Sequence, residues 1–204
     1  MPFLKIPNVV NTKFFFPAVQ QGTNPFRFIH ISTLLYPKNP EGIINTFVRL
    51  LKTGAKSELI LVGPLNQSVA SLLDSLSPQE SENIIVTNEL SYEEVGKELR
   101  KTDALIIFSY FENMPCVVLE ALCSGLPVIA SHVGGIPEVV RQENGILVEP
   151  GNEVQLLDAM KMMMANRNFY DRLFISKVAA SEFSYGTVGQ KICSVYSSFL
   201  TTKL

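Results

Sequence analysis

Apolar and polar positions follow one repeating order along this chain: a short apolar run, a polar or glycine-bearing loop, then apolar residues at helical spacing. The apolar runs are Phe26–Ile31, Leu59–Val62, Ile84–Val86, Ala104–Phe108, Val128–Ala130 and Ile146–Val148. Each reads as a strand, and Ala104–Phe108, bounded by polar residues, as one buried on both faces. Between them, Pro40 to about Lys52 carries Ile43, Ile44, Phe47, Leu50 and Leu51 on one helical face, and Ser68 to Leu76 forms a shorter helix. Ser91 and Glu94 make a capping box that opens a helix reaching about Lys101. After the sixth run, Leu156, Leu157, Met160, Met163 and Met164 mark an amphipathic helix from Glu153, with the methionines as core filler. Another helix spans about Asn168 to Ser181, and Val188, Ile192, Val195, Tyr196 and Phe199 stripe a last one. Strands alternating with helices predict an α/β fold: a doubly wound parallel six-stranded sheet flanked by helices.

The candidate chemistry gathers between Ser109 and Val140. Ser109 to Met114 cannot extend the preceding strand, being polar and then blocked by Pro115, which is well placed as the first residue of a helix. That helix runs to Ser124, with Val117, Val118, Ala121 and Leu122 facing inward and Gly125 ending it. After the next strand, Gly134-Gly135 precedes a second helix, Ile136 to Arg141, opened by Pro137. Both loops leave the carboxyl ends of parallel strands, the edge at which open α/β sheets take their ligands. Glu112 falls in the first loop and Glu120 about a turn and a half into the helix, so they reach one crevice from different depths. Between them, the amides of Cys116 to Val118 are free donors at a helix start, which favours an anion. The start of the second helix offers another such end, with Glu138 in its first turn. Anion-binding amides beside hydroxyl acceptors suit a sugar nucleotide.

Composition removes several alternatives. A formal charge of −2 and a pI near 5.8 provide no basic field for nucleic acid. No apolar run reaches the 18 residues of a membrane span, and the opening MPFLKIPNVV lacks the form of a signal peptide. Three cysteines make no disulfide framework, and Cys116 and Cys123 stand about 10 Å apart along one helix, so a reducing, cytoplasmic setting is expected. Motifs for a metal, a nucleoside triphosphate loop or a dinucleotide are missing. His132, in the loop after the fifth strand, reads as a plain loop residue.

Taken together, Glu112 and Glu120 with seven residues between them, Leu119-Glu120-Ala121-Leu122, Gly125-Leu126-Pro127-Val128-Ile129-Ala130 and Gly134-Gly135 resemble the group 1 (family 4) retaining glycosyltransferases of GT-B fold. The resemblance runs from about Lys5 to Leu204 and covers the C-terminal, donor-binding, Rossmann-like half of such an enzyme. It implies that residues 1–25 are a linker from a missing N-terminal acceptor-binding domain and that 26–204 bind the nucleotide sugar. By position it places Glu112 against the donor sugar and Glu120 on the ribose hydroxyls. Asn113, Met114, Pro115, Cys116, Val117 and Val118 then line the sugar and diphosphate. Ile31-Ser32-Thr33 sets the register of the first loop, which brings Thr33 to the ligand and Lys38 to the diphosphate. The family's arginine falls on Leu35, so either donor binding is weaker or another cation, such as Arg27 or one from the missing half, supplies that charge. The loop Thr87 to Leu90 would lie along the base. The resemblance implies no cofactor and no metal, a UDP- or GDP-sugar donor, and retention of configuration. Without the acceptor half, transfer is not expected, and the exposed stripe of the last helix could drive self-association. The alternatives are a binding module that has lost transfer, for which Leu35 speaks, or another GT-B enzyme such as a sugar-nucleotide epimerase or a phosphorylase.

Overall fold

The computed structural model describes residues 5–18 and 25–201, with side chains up to residue 197. Six parallel strands form one sheet: β1 (Phe26–Ile31), β2 (Ser57–Val62), β3 (Ile84–Thr87), β4 (Ala104–Ile107), β5 (Val128–Ser131) and β6 (Gly145–Val148), in the order β3-β2-β1-β4-β5-β6. All six apolar runs are therefore strands of the doubly wound sheet expected from the sequence. The helices are α1 (Pro40–Leu51), α2 (Gln67–Asp74), α3 (Pro78–Ser81), α4 (Tyr92–Lys101), α5 (Cys116–Cys123), α6 (Glu153–Ala165), α7 (Arg172–Phe183) and α8 (Tyr185–Thr201).

Strand alternation divides the core between two layers. Ala104 and Ile106 of β4 pack with Ile43, Phe47, Leu156 and Met160 under α1 and α6. Leu105 and Ile107 pack with Val118, Leu122 and Ile175 under α5 and α7. The strand order reverses between β1 and β4, so their carboxyl ends open a crevice there. The loops 32–39 and 108–115 enter it.

Local chemistry accounts for the departures from the expected elements. The α3 turn, which hydrophobic pattern does not signal, is closed by a capping box in which Glu80 Oε2 accepts from the Ser77 amide at 2.9 Å. The expected helix 136–141 is one 3-10 turn, Ile136–Glu138. Val140 dives into the core, and the Arg141 and Asn144 amides then close the turn into β6. Asp171 caps α7 by accepting from the amides of Leu173 and Phe174, so that helix starts later than Asn168. Pro115 is the N-cap of α5 (ψ 123°), not its first helical residue.

Residues ahead of β1 join the same core. Val10 and Phe15 are buried, the Val10 amide donates to Phe183 O at 2.8 Å, and the Phe14 and Phe15 rings meet Tyr92 edge-on. On α8, Val188 is buried while Ile192 and Tyr196 are exposed, and the Phe199 side chain lies outside the described residues. Among the described residues no helix is long and apolar enough to cross a membrane.

Candidate functional site

The loops after β1 and β4 are tied together across the crevice. The Tyr110 amide donates to Pro37 O at 2.9 Å, and the Tyr36 and Tyr110 rings stack with centroids 5.2 Å apart. Between them lies the central contact of the site: Lys38 Nζ donates to Glu112 Oε1 at 2.7 Å, and Ser109 Oγ donates to the same oxygen at 2.8 Å. Only 8% of the Glu112 side chain and 28% of Lys38 face solvent, so this pair is far less screened than a surface ion pair.

Under the pair sits His30, fully buried in β1. Its Nδ1 lies 2.8 Å from Ile106 O, which only accepts, so Nδ1 carries the proton. Nε2 then accepts from Ser32 Oγ at 2.8 Å, and that oxygen accepts from the Leu34 amide at 2.9 Å. Burial, with Lys38 adding to it, pushes the imidazole down to about 4, so it stays neutral. The relay fixes the start of the β1 loop, where Leu34 adopts φ 54° with its side chain buried.

The Gly134-Gly135 loop clamps the Glu112 loop from the other side. A Cβ on Gly134 (φ +56°) would stand 1.9 Å from Glu112 O, and the Gly135 amide donates to Asn113 O at 2.6 Å. An open cavity of about 660 Å³ lined by Tyr110, Phe111, Glu112, Asn113, Val133 and Gly134 results. A second, of about 600 Å³, adjoins it along Asn113, Met114, Leu119 and Gly135.

Glu120 lines neither cavity. Four residues into α5, it is 9% exposed and faces Tyr92 at the start of α4, just after Leu90. Burial raises its carboxyl to about 7, and a hydrogen bond with Tyr92 holds it somewhat lower. Leu90 is half-buried against the core two residues before Tyr92, which hydrogen-bonds Glu120.

The other expected positions divide. Thr33 is exposed on the β1 loop, and Leu35, in place of the expected arginine, is 53% exposed. Arg27 cannot compensate, since it is the second residue of β1, at the amino edge about 13 Å from Ile31, and pairs with Glu58 at 2.7 Å. Cys116 is exposed and Val117 half-buried, but the Val118 amide is spent on Pro115 O at 3.1 Å, so fewer amides are free than the sequence suggested. Met114 O accepts from Asn8 Nδ2 at 3.4 Å. The second anion-friendly end is also lost: the Gly135, Ile136 and Glu138 amides all have backbone partners, and Glu138 pairs with Lys5. His132 is an exposed loop residue. Sequence reasoning missed His30, Ser109 and Tyr92; an apolar strand interrupted by His30 was the one available signal.

A family profile described as "Glycosyl transferases group 1" matches residues 11–175, spanning both loops of the crevice. The chain belongs to the group 1 glycosyltransferases. Over 106 residues it is 31% identical to a D-inositol 3-phosphate glycosyltransferase of Corynebacterium diphtheriae, covering 51% of this chain and 25% of that protein. Among solved structures, sucrose-phosphate synthase from Thermosynechococcus elongatus superposes with a TM-score of 0.80 at 20% identity, covering 97% of this chain and 52% of that one. Anabaena Alr3699/HepE in complex with UDP-glucose gives 0.78 at 21% identity, covering 95% and 57%. The chain spans less than half the length of the curated relatives it matches. This glycosyltransferase domain is thus the Rossmann-like half of a GT-B fold.

Proposed function

We propose that this group 1 domain binds the donor of a retaining glycosyl transfer, a nucleotide-diphosphate sugar, in the crevice between β1 and β4. The observation that carries the reading is the Lys38–Glu112 pair, a cation and a carboxylate from opposite loops at the point where strand order reverses. In this reading Lys38 and the free amides opening α5 take the diphosphate charge, with no metal required. Glu112, released from Lys38, accepts from sugar hydroxyls, and Glu120 with Tyr92 accepts from the ribose beside the loop Thr87–Leu90. A uridine diphosphate sugar is the first donor to test, since HepE is similar in fold and was solved with UDP-glucose. Transfer requires an acceptor held against the donor, which we assign to a second domain of the GT-B kind, so this chain alone binds without transferring. Three free cysteines suit a reducing, cytoplasmic setting.

The roles are separable by ligand. Glu120→Ala should weaken UDP and UDP-glucose alike by about 1.5–3 kcal/mol, the scale of hydrogen bonds to a charged group. Glu112→Ala should weaken UDP-glucose more than UDP. Equal losses in Glu112→Ala for both ligands would remove Glu112 from the sugar. A sugar-nucleotide-binding module without transfer is the second reading, favoured by Leu35 at the arginine position; glycosyl transfer after adding an acceptor-binding domain in trans would exclude it.

A further inference from the structure

The opposite edge of the sheet carries a second polar cavity that the donor crevice does not use. It has a volume of about 340 Å³ and lies at the amino ends of β1, β4 and β5, walled by Phe26, Asp103, Pro127, Tyr170, Arg167 and Arg172. Two guanidinium groups share it. Arg172 Nη1 donates to Thr102 O at 3.0 Å, and Arg167 Nη2 stands 2.8 Å from Asp103 Oδ2 with its guanidinium over the Phe26 ring. Even so, Nε of Arg167 and both Nε and Nη2 of Arg172 are buried with no hydrogen-bond acceptor among the described residues. Three buried donors on two like charges are costly to leave unsatisfied.

The carboxylates nearby do not meet that need. Asp171 is occupied in capping α7, where it accepts from the Leu173 and Phe174 amides. Asp103 Oδ2 already accepts from the Arg27 amide at 2.8 Å. Burial and the neighbouring Arg167 both press the Arg172 guanidinium toward losing its proton, while Asp103 opposes them. The wall thus presents unspent donors in planar forks, the arrangement that takes a tetrahedral or planar oxyanion in paired hydrogen bonds.

We propose that this amino-edge cavity is a binding site for a small multivalent oxyanion of the phosphate class, held between Arg167 and Arg172 and separate from the donor crevice. Ligand bound there would press on the end of α5: Arg172 O lies where a Cβ on Gly125 would sit, and Ser176 Oγ of α7 donates to Cys123 O at 2.6 Å.

The test is thermal unfolding and calorimetry of the 204-residue chain in low-chloride buffer with inorganic phosphate, glycerol 3-phosphate and citrate. At tenfold excess over its dissociation constant, a bound anion should raise Tm by about 3 °C. Lys38→Gln removes the cation of the donor crevice and should leave that binding unchanged. Arg167→Gln and Arg172→Gln should each weaken it at least tenfold. If Arg172→Gln does not fold, Arg167→Gln decides. Preference for either phosphate over citrate, or the reverse, would identify the anion's geometry and in both cases support the site. No binding of any of the three, or binding lost in Lys38→Gln and kept in Arg167→Gln, would overturn it.

Discussion

Replacing Glu120 by glutamine should stabilise the domain and reshape its pH dependence. Glu120 is a carboxyl raised from 4.5 to about 7 by burial, so the folded state binds its proton more tightly than the unfolded chain does. Its contribution to stability is complete below about pH 4.5 and is lost as pH rises through about 7. At about 1.4 kcal/mol per pH unit the loss comes to about 3 kcal/mol, and to about 2 after allowing for partial solvation. His30 has the opposite sign. Held down from 6.5 to about 4, it contributes above pH 6.5 and loses that contribution as pH falls through 4. In the wild-type protein the two slopes oppose each other between pH 4.5 and 6.5 and leave stability nearly flat. Glu120→Gln keeps the shape and the contact with Tyr92 but has no charge to bury. Its stability should match wild type near pH 5, exceed it by about 2 kcal/mol at pH 8, and climb with pH as His30 alone dictates. Urea unfolding followed by circular dichroism at pH 5, 6, 7 and 8 measures this, with the slope in urea checked for constancy. Parallel curves for the two proteins would refute the reasoning, since they would mean that Glu120 ionises as it does in water.

Two further outcomes follow from the same site. Gly134→Ala should cost at least about 2 kcal/mol and abolish donor binding, because its φ is +56° and its Cβ would meet Glu112 O; Gly54→Ala, at φ +84° with open space around it, should cost about 1–2 kcal/mol and leave binding intact. Parallel unfolding and binding assays check both. If Glu120 holds the ribose as proposed, UDP-glucose affinity should rise as pH passes upward through 7, because the carboxylate accepts from both hydroxyls more strongly than its protonated form, and the slope should vanish in Glu120→Gln. Calorimetry across pH 6–8 measures it, and a diphosphate diester ligand avoids a titrating phosphate on the nucleotide.

The sheet was readable because β4 and β5 are buried along their whole length and the other strands carry short apolar runs, and because Ser91 and Glu94 spell out a helix start in sequence. The convergence of Lys38 and Glu112 was also within reach, since both follow strands whose carboxyl ends the parallel topology places together. What the sequence hid depends on contacts between distant segments. Ser109 and His30 become site residues only when β1 and β4 are neighbours. Glu120 looks like a surface helix position until α4 brings Tyr92 over it. Val118 appeared as a free donor because nothing local shows that Pro115 O turns back to meet it. Arg27 looked like a spare cation because its distance from the crevice is set by strand direction, which composition does not report.

The central claim is that the crevice between β1 and β4 grips a pyrophosphate through Lys38, after the lysine leaves Glu112. Calorimetric titration of wild-type and Lys38→Ala protein with UDP-glucose, GDP-mannose and ADP-glucose tests it directly. The account predicts one-to-one binding of a uridine or guanosine sugar to the wild-type chain and at least tenfold weaker binding to Lys38→Ala. Equal affinity in the two proteins, or no heat with any of the three, would contradict it.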